Sequence, residues 1–117
     1  SRPASLEVTS PQAPANLVRI PGTSDLLLIW TPTYDASVFL SGPRNVLVAC
    51  VSKDGGKTWP TEKRKVLVSD PSRSIDYPSI LFRGDEVWIT LRVSSGPGVL
   101  QGKTGTELMR VPVDWFY

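Results

Sequence analysis

Histidine is absent from this chain of 117 residues. That excludes a histidine-based catalytic triad, a histidine zinc site and a histidine general base. Cysteine occurs once, at Cys50, so no intrachain disulfide can form. Cys50 lies in the apolar run 46–51, which predicts a buried structural thiol. A reactive thiol would need an electropositive, partly open setting. Long apolar runs are also missing, and no stretch is long enough to span a membrane. Nor is there an excess of one charge. Thirteen basic and eleven acidic side chains are interspersed and leave a net charge of +2. That balance gives no argument for nucleic acid or a membrane surface as partner. No metal-ligand spacing occurs and no cofactor is implied. Gly102-Lys103-Thr104 and Gly56-Lys57-Thr58 fail as phosphate loops, because the required upstream glycines are Pro97 and Val51. No signal peptide opens the sequence and Ser1 stands where an initiator Met would, the expectation for a processed chain or a segment of a longer one. Compartment is not legible.

What is abundant is punctuation. Eleven Pro and nine Gly cut the chain at short intervals, which favours short strands and turns over long helices. Residues 1–15 read as an extended arm or linker, with a short edge strand at 5–8. Strands are predicted at 16–20, 26–30, 45–52 and 64–68. The very apolar run 26–30 reads as a strand buried on both faces. These four strands form one antiparallel unit over 16–70. A second unit over 71–117 has predicted strands at 77–82, 86–93 and 106–111, a closing strand at 113–117 and a Gly-rich loop at 94–105. Segment 17–30 repeats weakly as 77–91. Lys63-Arg64-Lys65 reads as a solvated strand edge. The four Trp, at 30, 59, 88 and 115, recur about once per strand region, a spacing suited to sheet packing.

One motif stands out. Ser52-Lys53-Asp54-Gly55-Gly56-Lys57-Thr58-Trp59 fits S-x-D-x-G-x-T-W at every specified position. This Asp-box is a tight turn between neighbouring strands of a β-propeller blade. Asp54 can accept bonds from nearby backbone N–H groups, and Gly56 can take positive φ. Thr58 and Trp59 are expected to start the next strand, with the indole packed on the blade. The residues Ser52, Asp54, Gly56, Thr58 and Trp59 therefore read as structural. The fold expectation is all-β: about two four-stranded antiparallel blades of a six-bladed propeller. Two blades cannot close a ring and would leave apolar faces in water. The remainder of a longer propeller chain, or identical copies in a homotrimer, would supply the other blades.

The order of features from about residue 15 to residue 117 resembles the C-terminal blades of the sialidase (neuraminidase)-like Asp-box, or BNR-repeat, glycosidase superfamily. The apolar strand comes first, followed by Ser41-Gly42-Pro43-Arg44-Asn45-Val46. The Asp-box comes next, then Asp76-Tyr77-Pro78-Ser79-Ile80, a strand through Ile89-Thr90-Leu91-Arg92, and a last segment through Trp115. The resemblance implies that Arg44 is an arginine gripping the substrate carboxylate and that Tyr77 is the nucleophile. A guanidinium fork suits a carboxylate. A Tyr nucleophile avoids a second negative charge beside an anionic sugar. The plain structural alternatives are that Arg44 holds a loop carbonyl or a surface carboxylate, and that Tyr77 is a half-buried aromatic opening a strand. Pro78 departs from the family's Ser. The further arginines, the acid/base Asp and the Glu of the family come from earlier blades, so the chain alone is expected to be inactive. Arg19-Ile20-Pro21 imitates the family's first-arginine signature but sits in the wrong blade. Tyr34 and Asp35 lie in the loop before Arg44 without an assigned role. The implied partner is a glycan or sialoglycoconjugate, and an extracellular or periplasmic setting. The alternative is a non-enzymatic carbohydrate-binding, lectin-like propeller module assembled from several copies.

Overall fold

Punctuation by Pro and Gly produces seven strands in the computed structural model, which describes residues 5–95 and 103–117. Strands β1 (Asn16–Arg19), β2 (Leu26–Trp30), β3 (Val46–Ser52) and β4 (Lys65–Ser69) form one antiparallel sheet in chain order. Strands β5 (Ser74–Arg83), β6 (Glu86–Ser94) and β7 (Thr104–Pro112) form a second. No α-helix occurs among the described residues, so no helix there is long and apolar enough to cross a membrane. The fold is all-β, with sheets of four and three strands.

The strand pattern explains how the sheets stack. On β2, Leu27 and Ile29 point to one face while Leu28 and Trp30 point to the other, and all four are buried. On β3, Leu47, Ala49 and Val51 alternate with Val48 and Cys50 in the same way. The first set meets Ile75, Val87, Ile89, Leu91 and Val111 of the second sheet in a single shared core. Each fully buried Leu, Ile or Val there stabilises the stack by about 1.5–3 kcal/mol. The second set forms a smaller core with Trp59 of the Asp-box, covered by Val8. The expectation that 26–30 is buried on both faces is thereby met.

The N-terminal arm makes that second cover. It is not an edge strand at 5–8. The Trp30 indole N–H donates to the Thr9 carbonyl at 3.1 Å, and Arg64 donates to the Glu7 carbonyl at 3.0 Å. Arg64 also lies 5.4 Å from the Trp30 ring centre. The 63–65 basic run is thus partly drawn into packing rather than left as a solvated edge.

The closing strand expected at 113–117 is a 3-10 helix, Val113–Phe116. Pro112 ends β7 because it has no N–H for a further ladder bond. The Val113 N–H turns to the Asp85 carbonyl, and Phe116 folds into the shared core at 3% exposure. The second sheet consequently has three strands where four were expected. Its outer face carries Leu81 and Leu108 in solvent. The same face holds Trp88, whose ring has Arg83 and Arg110 at 4.9 and 5.7 Å. Most of the Gly-rich loop expected at 94–105 lies outside the described residues.

Candidate functional site

The Asp-box is built as the motif requires. The Ser52 hydroxyl donates to Asp54 Oδ1 at 2.7 Å and accepts the Gly56 N–H at 2.9 Å. The Thr58 N–H reaches Asp54 Oδ1 at 3.0 Å, and the Thr58 hydroxyl reaches Oδ2 at 2.6 Å. These bonds, the Thr58 hydroxyl foremost, hold the Asp54 acid well below the usual carboxylate range. Gly56 adopts φ 88°, and its carbonyl accepts the Trp59 indole N–H at 3.1 Å. Trp59 is thereby clamped onto the second core. Both Asp54 oxygens are engaged within the turn, which is what a structural role requires.

The other candidates lie at the far end of the first sheet. Strand β3 separates Val46 from Ser52 by about 20 Å at strand rise. Arg44 precedes β3, and its carbonyl accepts the Ile75 N–H, which ties the start of β3 to the start of β5. Arg44 is only 4% exposed. One of its terminal nitrogens donates to Asp76 Oδ2 at 2.7 Å, the other donates to the Gln12 carbonyl, and its Nε is buried without a partner among the described residues.

Asp76 is itself fully buried and is shared. Arg92 Nε donates to Asp76 Oδ1 at 2.7 Å and Arg92 NH2 to Oδ2 at 2.6 Å, a bidentate fork. The hydrogen bonds to Asp76 raise the Arg92 pKa further. Two guanidinium groups around one carboxylate leave the cluster at net +1. Arg92 is its reachable cation, with a side chain 32% exposed.

Tyr77 is half exposed and has φ 53°. A bulky non-glycine residue at that φ is an outlier that the surroundings must impose. Here a β-bulge does so: the β5–β6 register shifts between Asp76 and Ser79. The bulge is pinned by the Asn16 side chain, which donates to the Pro78 carbonyl at 3.0 Å. The Arg92 guanidinium covers the Tyr77 ring at 4.5 Å. Arg44 and Tyr77 are therefore brought to one locality, on either side of the Asp76–Arg92 pair.

Asp76 and Arg92 carry no assigned role in the sequence reading. Arg19 stands beside Leu26, which pairs with Ser52, at the Asp-box end of the sheet and away from Arg44. Asp35 accepts the Ser37 N–H and hydroxyl in a local turn, and Tyr34 is exposed. Cys50 is buried, and burial pushes its thiol pKa up. Among the described residues no group of three His, Cys, Asp or Glu side chains is placed to hold a metal ion. Comparison with family models, curated proteins and solved structures gives no match.

Proposed function

We propose that this chain is the C-terminal part of a sialidase-like glycoside hydrolase acting on terminal sialic acid or a related anionic sugar, and that it is inactive on its own. One observation supports this most. Tyr77 is held at an unfavourable φ, half open to solvent, beneath Arg92 and beside the buried Arg44–Asp76 pair. Backbone strain concentrates at sites where a side chain must be aimed. In this reading Tyr77 is the nucleophile at the anomeric carbon. Arg92 places a positive charge where the phenolate forms. Arg44 is buried with its terminal nitrogens on Asp76 and the Gln12 carbonyl, so it holds Asp76 in place rather than gripping the sugar. The more open Arg92 supplies the positive field that draws the anionic sugar. The remaining acid/base groups belong to other blades.

The test has two arms. NMR titration of the chain with N-acetylneuraminate should shift the amides of Tyr77 and its neighbours, and Arg92→Ala should remove the effect. An unchanged Tyr77 region would overturn the reading. Turnover of a fluorogenic sialoside by the chain alone would overturn its expected inactivity. A lectin-like ring of identical copies is the second reading. Its support is the outer face of the second sheet, where Leu81 and Leu108 are exposed on either side of Trp88. A trimeric solution mass would favour it.

A further inference from the structure

A concavity lies at the opposite end of the first sheet from Arg44 and Tyr77. A cleft of about 310 Å³ opens between the Asp-box turn and the 3-10 helix Val113–Phe116. That volume is at the lower end for small-molecule sites and suits a single-ring ligand. Its apolar lining is Val51, Pro60 and Phe116. Val51 and Phe116 are buried parts of the shared core, so this floor is fixed.

Its polar lining is cationic. Lys53 and Lys63 both border the cleft. Neither ammonium has a carboxylate at salt-bridge distance among the described residues. Asp54 is the single acid in the lining, but Ser52 and Thr58 engage both its oxygens. Tyr117 forms a wall. Its hydroxyl donates to Asp25 at 2.5 Å, and burial together with Asp25 pushes its pKa up to about 12, so the phenol is neutral. Lys53 Nζ stands 5.1 Å from that ring. A cation resting on an aromatic face is a weakly held charge, free to turn to a better partner.

We propose that this cleft binds a small aryl carboxylate, with its ring on Val51, Pro60 and Phe116 and its carboxylate between Lys53 and Lys63. The apolar floor supplies contact area and the two ammonium groups select the charge. The site uses none of the Arg44–Asp76–Arg92–Tyr77 cluster, so it stands or falls independently of the glycosidase reading.

Phenylacetate and its neutral isostere phenylacetamide are the probes. Each is titrated into the full chain and followed by amide chemical shifts. Phenylacetate should bind saturably, with shifts centred on the Asp-box turn and Tyr117. Phenylacetamide should bind at least about tenfold more weakly. The double variant Lys53→Gln, Lys63→Gln should lose about the same factor for phenylacetate and little for the amide. Both lysines are exposed, so the variant keeps the fold, which Trp59 emission checks. Equal binding of acid and amide, shifts located elsewhere, or no saturation would overturn the proposal.

Discussion

The Arg92 guanidinium lies 4.5 Å from the centre of the Tyr77 ring, yet its hydrogen bonds go to Asp76, one residue earlier. The bulge in β5 makes both possible. Continuing the hairpin register from Arg83 and Glu86 would set Tyr77 opposite Arg92 and Asp76 opposite Val93. The slip sets Asp76 opposite Arg92 instead, and Tyr77 is displaced to lie beneath the guanidinium.

Asp76→Ala should be among the most damaging single changes. It leaves Arg44 buried without its counter-ion, and breaking such a pair costs about 3–5 kcal/mol. Urea unfolding measures the loss. Adding Arg44→Met and making the first change Asp76→Leu should recover part of it, because an apolar pair needs no charge compensation. A double variant as unstable as Asp76→Ala would show that the pair's charge is not the issue.

Tyr77→Phe should leave stability within about 0.5 kcal/mol, since the ring and its contact with Arg92 remain. Tyr77→Gly balances two effects. It relieves a left-handed backbone worth about 1–2 kcal/mol and loses a cation–π contact worth about 0.5–1 kcal/mol. Its unfolding midpoint should therefore stay close to that of the parent chain. A large fall would place the ring, not the backbone, in charge of the bulge.

Asp54 contributes to stability on the acid side, as do Asp35 and Asp70, whose acids are also lowered by local hydrogen bonds. The folded-state pKa of Asp54 lies below the unfolded value, so its contribution is fully present above about pH 3.9. That contribution is lost as pH falls from there through the depressed folded value. Asp54→Asn should therefore be less stable than the parent at pH 7, and the gap should narrow in acid. Thermal melts from pH 7 to pH 2 measure this, and a gap that stays constant would remove the carboxylate from the turn's energetics.

Gly42→Ala should destabilise strongly. Gly42 has φ 138°, and an added Cβ would lie 2.7 Å from the Thr33 carbonyl oxygen. Backbone on both sides of that contact leaves little room to yield. The expected loss is about 2 kcal/mol or more, read from the unfolding midpoint. A variant of unchanged stability would show that the 33–42 loop moves freely.

Cys50 should resist an aromatic disulfide reagent in the folded chain and react once urea unfolds it. The thiol is 1% exposed, and burial keeps it protonated. Prompt reaction under native conditions would contradict the second core as described.

Much of the strand order was legible because turn residues and apolar alternation agreed. Leu26–Trp30, Val46–Ser52 and the Asp-box follow from that agreement. The closing segment misled because Val113, Trp115 and Tyr117 alternate like a strand. Pro112 and the Asp85 carbonyl, which turn the chain, act across the fold rather than along it. Arg44 and Tyr77 were found through resemblance. Asp76 and Arg92 were hidden because their pairing depends on a one-residue bulge. Pro78 is its local sign, and the side chain that bonds the bulge, Asn16, is far away in sequence.

Leu27, Leu47, Ile75 and Ile89 share one interior, so the two sheets cannot melt separately. Severing the chain between Ser69 and Ser74 would strip each half of the surface that hides its own. Denaturation should appear as one cooperative step, with both halves losing amide protection together.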